Sequence, residues 1–88
     1  MIVKIDKSLV KDIRKINSES INNKLAKVIV EIQKADKMAD ISNLKKIQGT
    51  KDYYRIRMGN HRLGMIIKKG EVELIRILHR KDVYKYFP

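Results

Sequence analysis

The hydrophobic pattern of this chain changes its period once, and that change limits the folds available to it. Between residues 9 and 32, apolar side chains recur every three or four positions, as they do along the buried face of an α-helix. From Tyr53 onwards they alternate with polar residues, which is typical of a half-buried β-strand. Helices followed by strands predict an α+β protein with its helices on one face of an antiparallel sheet.

Two helices are predicted before the change. Residues 2–5 read as a short strand, after which the carboxylate of Asp6 can accept from free amides of a first helix and act as its N-cap. Ser18 can cap a second helix in the same way. The apolar positions follow the helical spacing: Leu9, Val10, Ile13 and Ile16, then Ile21, Leu25, Val28, Ile29 and Ile32. The short connection between the two segments predicts a helical hairpin.

A β-hairpin is predicted around Gly59-Asn60, a pair that favours the positive φ of two-residue turns. In this register Arg57 faces Arg62, and Met58 faces His61. Apolar side chains then share one face of the hairpin: Tyr54, Ile56, Met58, Leu63, Met65 and Ile67. The other face carries Tyr53, Arg55, Arg57 and Arg62. We expect the apolar face to cover the helices and the arginine face to meet solvent or a ligand.

A third strand and a tail complete the predicted architecture. Residues 72–78 are apolar at both parities, which predicts a strand covered on both faces. Residues 38–52 are interpreted as a loop with one helical turn and the basic pair Lys45-Lys46, and residues 83–88 as a tail that places at least one aromatic side chain in the core. We therefore predict one domain over residues 1–88, with an N-terminal strand and a two-helix hairpin packed on an antiparallel β-meander of three strands.

Charge is the strongest compositional signal. The chain has 21 Lys and Arg against 10 Asp and Glu, a formal net charge of +11. The excess is concentrated, because residues 53–70 contain five basic residues and no acid. This favours a polyanionic partner such as nucleic acid, an anionic membrane or an acidic protein. A lysine-rich solvated surface is the alternative.

Several classes of protein are disfavoured. Without cysteine the chain has no disulfide and no thiolate metal site. The first residues lack the apolar run of a signal peptide, and no segment approaches the roughly 20 apolar residues of a membrane span. We expect a soluble, cytoplasmic protein. Because the sequence contains no metal-binding, Walker or dinucleotide motif, neither a metal nor a cofactor is expected.

Arg57 and Arg62 are the first candidate site residues, because like charges directly opposite each other are unfavourable in a sheet. A protein can tolerate the pair when an anion lies between the two side chains, since guanidinium groups donate to phosphate oxygens bidentately. Arg55 and Arg80 can join them in one concave basic face. The alternative is a solvated edge with splayed side chains.

Proton transfer would need other side chains, since arginine hardly deprotonates. His79 is expected at the end of the third strand, where a neutral imidazole can exchange a proton near pH 7 or simply pack. Tyr84 can stack on a base, donate a proton or pack in the core. Metal-free cleavage of RNA uses the 2′-hydroxyl as nucleophile and needs a proton acceptor, a proton donor and positive charge at the phosphate. DNA lacks that hydroxyl, so this route is confined to RNA.

The segments "NLKKIQG", "YYRIRMGNHRLGMI" and "RILHRKDVYKYF", after a strand and two helices, resemble the RelE/ParE superfamily of type II toxins, and the RelE branch most closely. The resemblance spans essentially the whole chain. It implies the RelE-like fold, which is microbial-ribonuclease-like. It also implies a metal-independent endonuclease that cuts mRNA in the ribosomal A site, and a cognate antitoxin that covers the basic groove.

The resemblance also implies roles for individual residues. Arg62 and Arg80 would hold the scissile phosphate, supported by Arg55 and Arg57, where the typical enzyme has lysines. Tyr84 matches the C-terminal tyrosine that stacks on or protonates the substrate, and His79 is the reserve acid or base. The pair Lys45-Lys46 is expected to hold ribosomal RNA, with a solvated loop pair as the alternative.

Two other functions fit the same residues. The ParE branch shares the fold, yet its members act on DNA gyrase without cutting RNA. A basic RNA-binding module without catalysis is the third reading. In that case Arg62→Ala weakens binding in a salt-dependent way, with no cleavage to lose.

Overall fold

A five-stranded sheet forms the centre of the molecule. The computed structural model describes all of residues 1–88. The strands are β1 Ile2–Ile5, β2 Leu44–Lys46, β3 Tyr53–Met58, β4 His61–Lys68 and β5 Glu71–His79. Their order across the sheet is β1-β5-β4-β3-β2. β1 runs parallel to β5, and every other neighbouring pair is antiparallel, so the predicted α+β architecture is confirmed.

Two long helices cover one face of this sheet. α1 spans Lys7–Ile16 and α2 spans Glu19–Lys34. The predicted N-caps are present: the Asp6 side chain accepts from the amide of Ser8, and the Ser18 side chain accepts from the amide of Ile21. Side chains from α1, α2 and the helix-facing side of the sheet form the main core, including Leu9, Leu25, Ile32, Ile56, Met58, Leu63, Met65, Leu74 and Ile77. No helix has the length and apolar content that crossing a bilayer requires.

The predicted register of the β3–β4 hairpin is confirmed. Arg57 pairs with Arg62 and Met58 with His61, and Gly59 has a φ of 61°, in the region that glycine adopts readily. The pairing of β4 with β5 is irregular between Gly64 and Met65. This bulge sets which side chains of β5 face the helices, a point that the apolar pattern of β5 leaves open.

The prediction of a loop over residues 38–52 is wrong in part. A 3₁₀ turn at Met38–Asp40 supplies the expected helical turn, but Leu44–Lys46 form strand β2 at the edge of the sheet. Lys45 lies opposite Arg55, and Lys46 lies opposite Tyr54. Pairing with β3 holds this strand, because only its first residue packs against the main core. The meander therefore has four strands instead of three.

A small core lies on the other face of the sheet. Its buried members are Ile47, Val83 and Phe87, and the partly buried side chains against them are Tyr53, Ile75 and Leu78. The short helix α3, Val83–Tyr86, belongs to it. The tail thus buries one aromatic ring, as predicted, because Phe87 is 2% exposed while Tyr84 is 65% exposed. The small core also explains why β5 is apolar at both parities.

Side chains of α1 complete the hydrogen bonding of β5 beyond the end of β1. The Ser8 hydroxyl donates to the carbonyl of Ile75 (2.9 Å), and the Asp12 carboxylate accepts from the amide of Ile77 (3.0 Å). The same carboxylate accepts from Nε and Nη2 of Arg76 at 2.7 and 3.1 Å, and this hydrogen bonding raises the pKa of Arg76. The free edge of β5 is thereby closed to pairing with another chain.

Candidate nucleic-acid interface

Four arginines gather at one end of the sheet, on the face that α1 and α2 leave uncovered. Arg57 and Arg62 are cross-strand partners, and Arg55 lies two residues before Arg57 on the same face. Arg80 joins them because its amide donates to the carbonyl of Asn60 (2.8 Å), which ties the segment after β5 to the hairpin turn. We refer to Arg55, Arg57, Arg62 and Arg80 as the arginine cluster.

Arg62 is held in place over the turn. Its Nη1 donates to the carbonyl oxygens of Gly59 (2.8 Å) and His61 (2.9 Å). Partial burial lowers the pKa of Arg62 from its ordinary value, and the positive charges of Arg55, Arg57 and Arg80 lower that pKa further. The guanidinium remains charged, because arginine does not deprotonate in proteins. The depressed pKa therefore reflects partial burial first, and mutual repulsion within the arginine cluster second.

No acidic side chain offsets this repulsion. The ion pairs of the molecule are Lys4–Glu71, Lys68–Asp52 and Arg76–Asp12, and none includes a member of the arginine cluster. An anion between the side chains would relieve the repulsion, and the planar guanidinium fork matches the oxygens of a phosphate or a carboxylate. The arrangement is suited chemically to binding a polyanion.

A groove of about 380 Å³ extends from Arg55 towards β2. Its lining residues are Lys45, Lys46, Ile47, Gln48, Arg55 and Tyr84. Arg55 Nε donates to the hydroxyl oxygen of Tyr84 (3.1 Å), which joins β3 to α3 across the groove. Strand pairing places Lys45 on the same face as Arg55 and Lys46 on the face of Tyr54, yet both lysines line the groove. The structure thus brings Lys45 and Lys46 next to Arg55 and Tyr84.

The four-residue helix α3 is held on the sheet by the residues that flank Tyr84. Val83 and Phe87 are 1% and 2% exposed. The Phe87 ring lies over Gly64, where an added Cβ would come within 2.6 Å of a ring carbon. It also contacts Tyr53, with ring centroids 5.3 Å apart. This role of Gly64 was missed from the sequence, where its only signal is an isolated glycine inside a strand pattern.

His79 lies on the opposite face of the sheet from the arginine cluster. It pairs with His61, which has the parity of Met58 in the main core, and the two imidazole centroids are 5.7 Å apart. Both histidines line a cleft of about 630 Å³ together with Asp12 and Lys15 of α1. The expectation that His79 serves the arginine face does not fit this geometry, because successive side chains of a strand point to opposite faces.

The two histidines differ in their surroundings. Nδ1 of His79 accepts from the amide of Lys81 (3.2 Å), so the neutral ring carries its proton on Nε2. Burial lowers the pKa of His61, and the charges of His79 and Lys24 lower it further. No three His, Asp or Glu side chains are grouped closely enough to hold a metal ion.

Comparison with known proteins places these features in a family. Residues 3–84 match the family model described as the ParE toxin of the type II toxin–antitoxin system parDE. Toxin RelE3 of Methanocaldococcus jannaschii is 37% identical over 89 residues, which cover all of both chains. The solved RelB–RelE antitoxin–toxin complex from Methanococcus jannaschii is 34% identical with a TM-score of 0.81, over 97% of this chain and 99% of that one.

A more distant structure shows how far the fold extends. The YoeB dimer from Staphylococcus aureus is only 14% identical, yet it matches with a TM-score of 0.72 over 91% of this chain and 97% of that chain. At this identity the likeness concerns the fold alone. The resemblance found in the sequence is confirmed by the family match and the full-length relative. This chain therefore belongs to the RelE/ParE superfamily and is a RelE-like toxin of a type II toxin–antitoxin system.

Proposed function

We propose that this toxin is a ribosome-dependent mRNA endonuclease that inhibits translation. The observation that carries the proposal is the arginine cluster, four guanidinium groups without an acidic partner beside a groove that contains Tyr84. The 37% identity to toxin RelE3 supports the RelE branch. Such an enzyme works in the cytoplasm, where translating ribosomes present the mRNA.

In the proposed mechanism the RNA supplies its own nucleophile. The 2′-hydroxyl attacks the adjacent phosphorus, the bond from phosphorus to the 5′-oxygen breaks, and the products carry a 2′,3′-cyclic phosphate and a 5′-hydroxyl. Arg62 and Arg80 hold the scissile phosphate, while Arg55 and Arg57 stabilise the negative charge that develops in the transition state. In this mechanism the guanidinium groups take the electrostatic role that a cation has in metal-dependent nucleases.

Tyr84 stacks on or protonates the substrate in this mechanism, and Lys45 and Lys46 contact RNA phosphates at the far side of the groove. We assign His79 no step at the arginine face, since its side chain lies in the cleft on the other side of the sheet.

The second proposed partner is a cognate antitoxin. The similar structure from Methanococcus jannaschii is a RelB–RelE antitoxin–toxin complex. For this chain we propose that an acidic, partly disordered antitoxin segment covers the arginine cluster, its carboxylates replacing RNA phosphates. A bound antitoxin that leaves Arg57 and Arg62 solvent-exposed would contradict this part of the proposal.

Primer extension on a reporter mRNA in a cell-free translation reaction tests the activity. Wild-type toxin should produce discrete cuts that need ribosomes, and Arg62→Ala should reduce cutting by about 10²–10³-fold, as for removal of one transition-state donor. Arg14→Ala is the matched control, because Arg14 is exposed on α1 and makes no ion pair. Cutting that persists in Arg62→Ala would refute the assigned role, and cutting without ribosomes would indicate a free ribonuclease.

Inhibition of DNA gyrase is the second candidate function, and it is favoured by one observation: the family model that matches residues 3–84 is that of ParE toxins. A supercoiling assay with purified gyrase separates the two candidates. The endonuclease proposal expects no inhibition at toxin concentrations that stop translation. Inhibition of gyrase by a folded toxin that leaves mRNA intact would favour the ParE-type function.

A further inference from the structure

Two histidines lie directly behind the arginines that are proposed to hold the scissile phosphate. His61 precedes Arg62 in β4, and His79, the last residue of β5, precedes Arg80. Because successive side chains of a strand point to opposite faces, each histidine points away from the arginine that follows it. We refer to His61 and His79 as the histidine pair. The endonuclease mechanism gives this pair no chemical step.

Backbone contacts connect the two arginines through the hairpin turn. Nη1 of Arg62 donates to the carbonyl oxygens of Gly59 and His61. The amide of Arg80 donates to the carbonyl oxygen of Asn60, which lies between them. The position of Arg80 relative to Arg62 therefore depends on how closely the segment after β5 stays against the turn. Within the arginine cluster the charges of Arg62 and Arg80 repel each other, and this repulsion pushes the segment and the turn apart.

On the reverse side of the sheet the histidine pair opposes that separation. His61 and His79 are cross-strand partners at the end of the β4–β5 pairing, and their rings meet edge-on with centroids 5.7 Å apart. Cross-strand aromatic pairs of this kind stabilise a sheet. Nδ1 of His79 also accepts from the amide of Lys81, which fixes the backbone on the far side of Arg80.

From this geometry we propose that the histidine pair positions the phosphate-binding arginines. The pair holds Arg80 against the turn that carries Arg62, and it does so only while both rings are neutral. The inference rests on the proposed endonuclease function and adds two positioning residues to it. Neither histidine touches the RNA, so both act through Arg62 and Arg80.

Protonation would open the pair in two ways. Two positively charged imidazole rings at this distance repel each other. Protonation of His79 also places a hydrogen on Nδ1, so that this atom can no longer accept from the amide of Lys81. The loss of either contact frees the segment that carries Arg80.

Other ionisable side chains surround the histidine pair. They are Lys24 of α2, Asp12 and Lys15 of α1, Arg76 of β5, and Asp82 and Tyr86 near the end of the chain. Asp12 is already bound to Arg76 and to the amide of Ile77. Asp82 makes no ion pair, and its negative charge opposes the effect of the two lysines.

These surroundings favour the neutral form of His61. Burial lowers the pKa of His61 most, and the charges of His79 and Lys24 lower it further. Nζ of Lys24 lies close to the turn, 3.1 Å from the place that a Cβ on Gly59 would occupy. The contact between the two rings is therefore intact at about pH 7.

Rates of cleavage relative to the wild type test the proposal across pH. Single-turnover cutting is measured with mRNA already bound to purified ribosomes, between about pH 8 and about pH 5.5, on either side of the ordinary histidine pKa. The rate of each variant is divided by the wild-type rate at the same pH, so the pH dependence of the cleavage chemistry itself cancels. A general structural defect would give a ratio that does not change with pH.

His61→Ala removes the ring contact and keeps the carbonyl group that binds Arg62. At about pH 8 its relative rate should be about one-tenth, since catalytic groups that lose their alignment lose rate. At about pH 5.5 the ratio should rise towards 1, because protonation opens the pair in the wild type as well. A relative rate near 1 at the higher pH would overturn the proposal.

His61→Phe keeps an aromatic ring against His79 and cannot be charged. Its relative rate should lie within about twofold of the wild type at about pH 8. At about pH 5.5 it should cut about threefold faster than the wild type or more, because it retains the contact that the wild type loses. A ratio that stays constant with pH would overturn the requirement for neutral rings.

Two further variants test whether the histidines act as a pair. His61→Ala/His79→Ala should cut no more slowly than His79→Ala, because residues in contact act as one unit. Losses that multiply would show that the two histidines act separately, against the proposal. Lys15→Ala is the matched control, because Lys15 lines the same cleft but lies on α1. It should cut at the wild-type rate at each pH, and slower cutting would mean that the cleft binds RNA directly, which would overturn the positioning role.

Hydrogen exchange separates a failure of this proposal from a failure of the endonuclease function. The amide of Arg80 is bonded to Asn60, and NMR measures its protection against exchange without any RNA. Protection should fall by about tenfold in His61→Ala and stay at the wild-type level in Lys15→Ala. Unchanged protection in His61→Ala would overturn the proposal. A wild-type toxin that cuts no mRNA would refute the endonuclease function, while loss of protection in His61→Ala would still support the role of the pair.

Discussion

The sheet face that α1 and α2 leave uncovered is called the outer face. Its two ends differ in whether acidic side chains neutralise the positive charge. At one end Lys4 lies 3.3 Å from Glu71, and Lys68 lies 3.7 Å from Asp52. We call this the paired end. At the other end the arginine cluster has no carboxylate. The small core around Phe87 separates the two ends.

The difference shows that a net charge of +11 is not spread as a uniform solvated coat. The lysine-rich surface considered as the alternative in the sequence describes the paired end, where Lys4 and Lys68 each have an acidic partner. At the arginine cluster the fold brings together residues from β3, β4 and the segment after β5, and it leaves their repulsion in place. The positive charges repel one another at the arginine cluster and are neutralised at the paired end. Repulsion that is left in place in this way is typical of a binding surface.

Arg57→Glu should produce the largest effect, because it makes the arginine cluster resemble the paired end. A carboxylate opposite Arg62 replaces a like-charge pair with an opposite-charge pair, worth about 0.2–1 kcal/mol of added stability. The same change should reduce ribosome-dependent cleavage by about 10²-fold or more, since it places negative charge where phosphate is proposed to bind. Urea unfolding and primer extension measure the two effects.

The control for this variant is Lys68→Glu at the paired end. It removes the contact with Asp52 but should leave cleavage unchanged. The proposed function of the arginine cluster would be contradicted by an Arg57→Glu toxin that cuts mRNA as well as wild type.

Gly64→Ala should have the second-largest effect, and it changes the small core that separates the two ends. The added methyl group meets the Phe87 ring, and overpacking of this kind costs about 1–3 kcal/mol in the free energy of unfolding. Displacement of Phe87 also moves α3, so cleavage should fall as well. Adding Phe87→Leu should recover part of the lost stability. A double variant as unstable as the sum of the two single variants would show that the ring contact is not the cause.

A change of pH should have a weaker effect on stability, and it should act through His61 on the helix-facing side of the sheet, not through either end of the outer face. The pKa of His61 is lowered in the folded protein, so the unfolded chain takes up the proton first as the pH falls. Stability should therefore be constant above the ordinary histidine pKa and should fall as the pH drops from about 6.5 towards the folded value. His61→Gln should flatten this part of a pH series of urea unfolding curves. If the stability of His61→Gln falls with pH as steeply as that of the wild type, other groups cause the pH dependence.

Glu71→Gln should have the smallest effect. The Lys4–Glu71 contact is exposed on both sides, and such pairs contribute about 0–1 kcal/mol. The free energy of unfolding should therefore change by less than about 1 kcal/mol, and cleavage should not change at all. A loss of activity would mean that the paired end contributes to RNA binding, and the contrast between the two ends would no longer hold.

The parts that were predictable from sequence are those set by local pattern. The hairpin register followed from Gly59-Asn60 and the alternation around it, so the juxtaposition of Arg57 and Arg62 was predicted correctly. Strand β2 was missed because its three residues include Lys45-Lys46, and pairing with β3 rather than an apolar pattern holds it. Short edge strands of this kind carry almost no periodic signal.

Two features of the site depend on contacts between distant residues. The face of His79 follows from the β4–β5 register, which a bulge at Gly64/Met65 alters. The place of Tyr84 follows from Phe87 packing over Gly64, a contact that spans more than twenty residues and requires the absence of a Cβ. The only sequence signal for the bulge and the ring contact is an isolated glycine inside a strand pattern, which does not identify its partner. The positions of His79 and Tyr84 therefore required the three-dimensional structure.

The parallel pairing of β1 with β5 has a consequence for how the toxin is made. Ile2–Ile5 find their partners only in residues 71–74, and the Ser8 and Asp12 side chains find theirs in residues 75–77. At a synthesis rate of about 5–20 residues per second, these early segments wait several seconds for the strand they join. A nascent chain cannot close its sheet while β5 is still inside the ribosome. The toxin therefore does not have its folded sheet while β5 is still inside the ribosome that makes it.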